Sequence, residues 1–203
     1  MSLLIDMAEN ALLPDGFIRF GIRRLDKKRL RVEGQAQRNR SRRRRDRFIA
    51  EMRQSPIAMK TRSANEQHYE VPAAFFEQVL GRHLKYSSGY WPEGTRNLDQ
   101  AEAQMLDLTC NRAELSNGME ILELGCGWGS LSLWMAQQYP DSRITAVFNS
   151  ASQREFIESK IARRKLRNLR VLTADMNDFS IDQRFDQVVS VEMFEHMRNW
   201  PLL

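Results

Sequence analysis

The chain has 203 residues, 42% hydrophobic and 28% charged, with a net charge of +5 at neutral pH. That is enough for one globular domain with an extension, in the ordinary composition of a folded soluble protein. No apolar run approaches the roughly 20 residues that span a bilayer. The opening MSLLIDMAEN lacks the basic and long apolar regions of a signal peptide. Two cysteines, Cys110 and Cys126, make no disulfide framework, so a cytoplasmic, reducing setting is expected.

Charge divides the chain. Residues 1–62 carry 17 Lys and Arg against 7 Asp and Glu, a net +10, whereas residues 63–203 carry 14 against 19. The first segment is read as a basic helical N-terminal extension. After the turn signal Pro14-Asp15-Gly16, Phe17, Phe20, Ile22 and Leu25 alternate with Arg and Lys as in an amphipathic helix. A second helix carries the run Arg42-Arg43-Arg44-Arg45 and then Phe48, Ile49 and Met52, and Ser55-Pro56 ends it. Such a basic arm suits an anionic partner, above all the inner face of a membrane. Solvated arginines, or arginines paired with the acidic domain, are an equal alternative. Nucleic acid ranks low, because no aromatic residues interleave residues 38–47.

Residues 63–203 are read as one domain. A short helix is expected after Pro72, and LKYSSGYWPEGT reads as a loop. Apolar residues at 98, 101, 105, 108 and 115 predict a helix with one buried face, stopped by Asn117-Gly118. Strands are predicted over Met119–Leu124, Arg143–Phe148, Leu169–Ala174 and Phe185–Val191, with helices over Ser130–Tyr139 and Ser150–Leu166. The βαβαβ order predicts a parallel sheet with helices on both faces. Ligands of such sheets bind beyond the carboxyl ends of the strands, where the chemical motifs fall. A sheet of this kind continues through three further strands, and the sequence stops at Trp200-Pro201-Leu202-Leu203. The expectation is a C-terminally truncated domain, whose activity is in question.

After the first strand stands Glu123-Leu124-Gly125-Cys126-Gly127-Trp128-Gly129-Ser130. Glycines let a chain turn sharply and let a ligand lie against its backbone. The spacing is GxGxG, not the GxGxxG of dinucleotide sites. That fits a nucleoside ligand without a pyrophosphate, as S-adenosylmethionine is; the plain alternative is a tight strand–helix turn. Asn149 and Gln153, after the second strand, can hydrogen-bond a ribose, although Ser150 and Gln153 also spell a capping box. Asp175 and Met176, after the third, suit an adenine, or form an acidic turn. Beyond the fourth, Glu192, Glu195 and His196 would share one side of a helix. A carboxylate and an imidazole there suit proton removal from an amine; the alternative is a solvated helix start. The inverted zinc motif needs His where Glu192 stands, so a metal is rejected. Tyr86, Tyr90, Trp91 and Phe194 make either an aromatic wall or core packing.

HYEVPAAFF, LKYSSGYW, ILELGCGWGSLSLWMA, FNSASQ and SVEMFEHMRNW, in this order over residues 63–203, resemble the cyclopropane-fatty-acid synthase family of S-adenosylmethionine-dependent methyltransferases, and within it the coclaurine N-methyltransferase-like branch. The resemblance implies a Rossmann-like methyltransferase fold with S-adenosylmethionine as cofactor. It implies that Tyr86 and Ser87 contact the methionine part, with Glu123, Gly125 and Gly127 in the loop beneath. Asn149 and Gln153 would hold the ribose, and Asp175 and Met176 the adenine. Glu195 and His196, with Glu192 nearby, would be the catalytic groups for a small-molecule amine. The lipid enzymes of the family use the counterpart of Glu195 to hold a bicarbonate. Ser88 stands where the lipid enzymes, and the plant amine enzymes, tend to have Cys, which weakens that site here. Cyclopropanation or methylation of membrane lipid is the second reading, and a non-catalytic fragment that binds cofactor the third.

Overall fold

A computed structural model describes residues 3–34, 38–59 and 72–203. The predicted boundary at 62/63 and the first four residues of HYEVPAAFF lie outside the described residues. The chain divides into two compact units, Met1–Met52 and Arg53–Leu203.

The first unit is helical, as its periodicity predicts. It holds α1 (Leu3–Glu9), α2 (Asp15–Gly34) and most of α3 (Arg38–Arg53). The Pro14 carbonyl accepts from the amides of Phe17 and Ile18 and starts α2, whose first turn is reinforced by Arg19 on Asp15 at 2.7 Å. Of the apolar side chains of α2, Phe17, Phe20, Ile22, Leu25 and Leu30 are exposed and Ile18 is half-buried.

The second unit runs α4 (Ala73–Val79), α5 (Leu98–Arg112), β1 (Glu120–Leu124), α6 (Ser130–Gln138), β2 (Arg143–Phe148), α7 (Ala151–Arg164), β3 (Leu169–Thr173) and β4 (Gln187–Ser190). Two 3-10 turns follow, Phe194–His196 and Trp200–Leu202. All four strands are parallel, in the order β3-β2-β1-β4. This is the predicted Rossmann-like sheet. Alternate residues of each strand take opposite faces. Ile121, Ile144, Ala146, Leu169, Val171 and Val189 form one core with Leu106 and Cys110 of α5, Leu131, Leu133 and Met135 of α6, and Ile157 of α7. Helices α5, α6 and α7 pack on this face. The other carries a smaller cluster of Leu122, Leu124, Val147 and Met193 with Phe179 and Phe185 from the β3–β4 connection, which is not helical. Val188 on this face is 55% exposed. Among the described residues no helix is long and apolar enough to cross a membrane.

Helix α5 departs from its prediction in two ways. Its buried positions are Ala101, Glu102, Leu106 and Cys110, so the inward face includes a carboxylate. It also stops before Asn117-Gly118. Glu114 takes the left-handed conformation (φ 52°), and the Leu115 amide reaches back to the Cys110 carbonyl, which closes the last turn.

Residues 53–59, expected to belong to the basic extension, pack within the second unit. The Ile57 carbonyl accepts from the Arg198 amide at 2.6 Å and the Asn199 amide at 3.2 Å, and Ala58 bridges Met197 antiparallel. The buried Asn199 side chain donates to the carbonyls of Arg53 and Ser55 at 3.1 and 2.7 Å. Asn177 mimics a strand partner, accepting from the Ala58 amide at 2.9 Å and donating to its carbonyl at 3.1 Å. Two asparagines thus strap this segment beside the carboxyl end of the sheet.

Candidate functional site

In this strand order the chain leaves β1 toward β2 and enters β4 on the opposite side. The carboxyl ends of β1 and β4 are therefore the switch point where a crevice opens. A cavity of about 440 Å³ lies there, within the second unit. Its walls come from the loop after β1, the ends of β2 and β3, the loop after β4, the 84–87 segment and the strap. The size suits a small organic ligand.

Ten of the twelve site residues expected from sequence line this cavity: Tyr86, Ser87, Glu123, Gly125, Gly127, Asn149, Met176, Glu192, Glu195 and His196. Gln153 and Asp175 do not. Asp175 Oδ1 is occupied by the Asn177 amide and side-chain nitrogen, both at 2.9 Å, so this carboxylate builds the turn that presents Asn177 to the strap. Gln153 is fully buried, and neither Oε1 nor Nε2 has a hydrogen-bond partner. The capping box is not made, since Ser150 caps α7 without a side-chain bond. A buried amide with both ends unsatisfied is rare in a folded protein and needs an explanation.

Glu192, Glu195 and His196 are not on a regular helix. Glu192 lies outside any helix with φ 53°, and only Phe194–His196 form a single 3-10 turn. Met193 is buried between these rim residues and comes so close to Gly125 that a Cβ there would sit 2.9 Å from the Met193 Cβ. That contact joins the β1 and β4 loops. Neither reading of the four aromatics holds for the set. Tyr90, Trp91 and Phe194 are exposed and off the cavity, while Tyr86 lines it and packs edge-on against Phe76, which in turn meets Trp128.

The family model for mycolic acid cyclopropane synthetase matches residues 58–201. The chain belongs to this family. The family match begins at Ala58, inside the strap that the structure packs with the second unit. Among its relatives, (S)-coclaurine N-methyltransferase of Thalictrum flavum subsp. glaucum is 44% identical over 152 residues, 75% of this chain and 42% of that enzyme. Cyclopropane-fatty-acyl-phospholipid synthase of Escherichia coli K12 is 33% identical over 65% of this chain and 33% of its own length. The fold matches the crystal structure of coclaurine N-methyltransferase bound to N-methylheliamine and SAH, with a TM-score of 0.85 at 37% identity over 98% of this chain and 57% of that one. The chain thus spans less than half the length of the two curated relatives.

Within the family frame, the sequence reading missed the groups behind the cavity wall. Glu102 is fully buried and accepts from the Gly81 amide at 2.8 Å and the His83 amide at 3.0 Å. Asp99 accepts from the Arg82 amide at 2.8 Å. The start of α5 thereby fixes the loop that delivers Lys85, Tyr86 and Ser87 to the cavity. Glu102→Ala would leave two amides unpaired, and a loss of about 2–3 kcal/mol in urea unfolding is expected; Glu102→Gln, which keeps one acceptor oxygen, should lose less.

Glu123 is the buried acid of the loop and accepts from the Ser132 hydroxyl. Burial pushes its carboxyl from the ordinary 4.5 up to about 7, against the opposing pull of the Ser132 hydrogen bond and the Lys85 charge. Below about pH 4.5 both folded and unfolded chains hold this proton. Between 4.5 and about 7 the unfolded chain releases it first, so the fold loses stability as pH rises, by about 3 kcal/mol in all. Glu123→Gln should remove that slope from urea midpoints measured between pH 4.5 and 7.5.

Proposed function

We propose that residues 63–203, with the strap, form the cofactor-binding part of an S-adenosylmethionine-dependent methyltransferase acting on a small-molecule amine in the cytoplasm. The observation that carries this reading is the cavity at the carboxyl ends of β1 and β4, which gathers the glycine loop with ten of the twelve expected site residues. The donor set fits a nucleoside amino acid: amide, hydroxyl and carboxylate groups, with no cluster of cations for phosphates among the described lining residues. Gln153 and Asn149 would hold the ribose, Met176 would cover the adenine, and Tyr86, Ser87 and the Gly125–Gly127 backbone would hold the methionine part. Asp175 would act on the adenine side through the turn it builds. When bound, S-adenosylmethionine supplies an electrophilic methyl group on a sulfonium.

This chain's residues then work on the acceptor. Glu192, Glu195 and His196 lie at the rim, exposed apart from the cavity they line. Glu195 and His196 would orient the amine and take its proton at the carboxylate oxygen or the imidazole nitrogen. Glu192 would steady the cationic nitrogen. Alignment of the amine with the methyl group would supply much of the rate. The relatives named for methylating coclaurine and for lipid cyclopropanation set the two acceptor classes. Calorimetry of the chain with S-adenosylmethionine, then labelled cofactor with an amine panel, tests the reading. Cofactor binding with labelled amine supports it; labelled lipid alone selects the lipid reading; cofactor binding with no product selects the non-catalytic one; and no binding sinks it.

A membrane role has its own support in α2, where exposed Phe17, Phe20, Leu25 and Leu30 stand among seven basic residues from Arg19 to Arg31. Exposed apolar and basic side chains together suit an anionic lipid surface. Vesicle co-sedimentation should rise with anionic lipid content, and a flat response would remove this role.

A further inference from the structure

Lys85 lines the cavity yet is only 5% exposed. A lysine is seldom buried so far without a specific partner. Its Nζ donates to Ser87 Oγ. The backbone makes this arrangement local and rigid. Leu84 is left-handed (φ 52°), the Tyr86 amide bonds back to the Leu84 carbonyl at 2.9 Å, and the loop before them is held by Glu102. An ammonium can only donate, so Ser87 must accept from it, and the Ser87 proton is left for another acceptor.

The charges lining the cavity indicate which acceptor that is. Glu123, Glu192 and Glu195 are acidic, and the basic side chains among the described lining residues are Lys85 and His196. His196 is on the exposed rim, whereas Lys85 is inside. Burial lowers the Lys85 pKa, while Glu192, Glu123 and Glu102 pull it upward and favour the ammonium. A ligand carboxylate entering a cavity with three acids has one favourable place inside it, beside Lys85 and Ser87.

We propose that Lys85 is a positioning residue for the amino-acid end of the ligand: it fixes the Ser87 hydroxyl as a donor to the ligand carboxylate and supplies the charge that admits that carboxylate. This rests on the cofactor reading above and gives a role to a residue of LKYSSGYW that the sequence reading left without one. It predicts selectivity, not only affinity. S-adenosylhomocysteine carries the carboxylate, and 5′-methylthioadenosine shares its nucleoside and thioether without the amino-acid end.

Titration calorimetry of the 203-residue chain with both nucleosides is the test. Lys85→Met should weaken S-adenosylhomocysteine by tenfold or more while changing 5′-methylthioadenosine less than about threefold. Lys85→Arg, which keeps the charge, should preserve most of the preference. Should Lys85→Met fail to fold, Lys85→Gln is expected to lower the ratio of the two affinities by about fivefold, and an unchanged ratio would overturn the proposal. Equal losses for both ligands would make Lys85 merely structural and overturn it too. Failure of the unmodified chain to bind either nucleoside would remove the cofactor reading, and this role with it.

Discussion

Gln153→Leu should leave the ligand-free chain at least as stable as before, while affinity for S-adenosylhomocysteine falls by tenfold to a hundredfold. The two effects part because the same amide is a burden in one state and a partner in the other. Gln153 is fully buried in α7, and neither its oxygen nor its nitrogen is bonded within the protein. An unsatisfied buried polar group costs about 1–3 kcal/mol, and replacement by an apolar side chain of similar volume removes that cost. If the amide serves a ribose, the same replacement forfeits one or two hydrogen bonds in the complex, each needed to repay desolvation of the sugar hydroxyls. Urea unfolding without ligand and calorimetry with it measure the two sides separately. A large loss of stability with unchanged affinity would mean that the amide serves packing and not a ligand.

Gly125→Ala should cost about 3 kcal/mol and abolish measurable cofactor binding, whereas Gly127→Ala should cost about 1 kcal/mol of stability. Both glycines are left-handed, with φ of 79° and 53°, so each alanine carries a backbone penalty. The difference is space. A Cβ at Gly125 would lie 2.9 Å from Met193 Cβ and 3.0 Å from its Cγ and Sδ, and Met193 is itself in the core. The main-chain end of that side chain cannot yield without moving the loop that bears Glu192 and Glu195, so an overpacking cost adds to the strain. At Gly127 nothing lies within 4 Å. Its alanine methyl would project into open space by the cavity, so any effect there should appear as ligand affinity. Urea midpoints and calorimetry on the two variants test this, and equal destabilisation would contradict the close approach of the β1 and β4 loops.

The motif residues and the wall behind them were legible to different degrees. Gly125, Asn149 and Glu195 stand at strand ends in the sequence pattern, and in the structure they line one cavity because parallel strands bring all their carboxyl ends to one edge. Asp175 shows that a strand-end position alone does not bring a side chain to the cavity wall. It stands at the end of β3 as expected, yet one of its oxygens is committed to Asn177 two residues on, which a lone acidic residue in a sequence does not announce. The i, i+3 and i, i+4 spacing predicts a helix at Glu192, but the positive φ at this residue and the short 3-10 turn break that geometry.

The sequence by itself determined the parallel strand–helix alternation, the glycine turn after the first strand and the family to which these residues belong. Periodicity and turn chemistry are local, so they can be read within a few residues of where they act. Tertiary structure alone decided which side chains back the site. Asn177 meets Ala58 across 119 residues, Glu102 meets the Gly81 amide across 21, and Gln153 is stripped of partners by the packing around it. These outcomes depend on burial and on distances between elements, because a polar group's value is set by whether water or a partner remains within reach. The position of Lys85 beside Ser87, in a cavity that also holds Glu123, Glu192 and Glu195, is of the same kind: the fold alone brings these groups together.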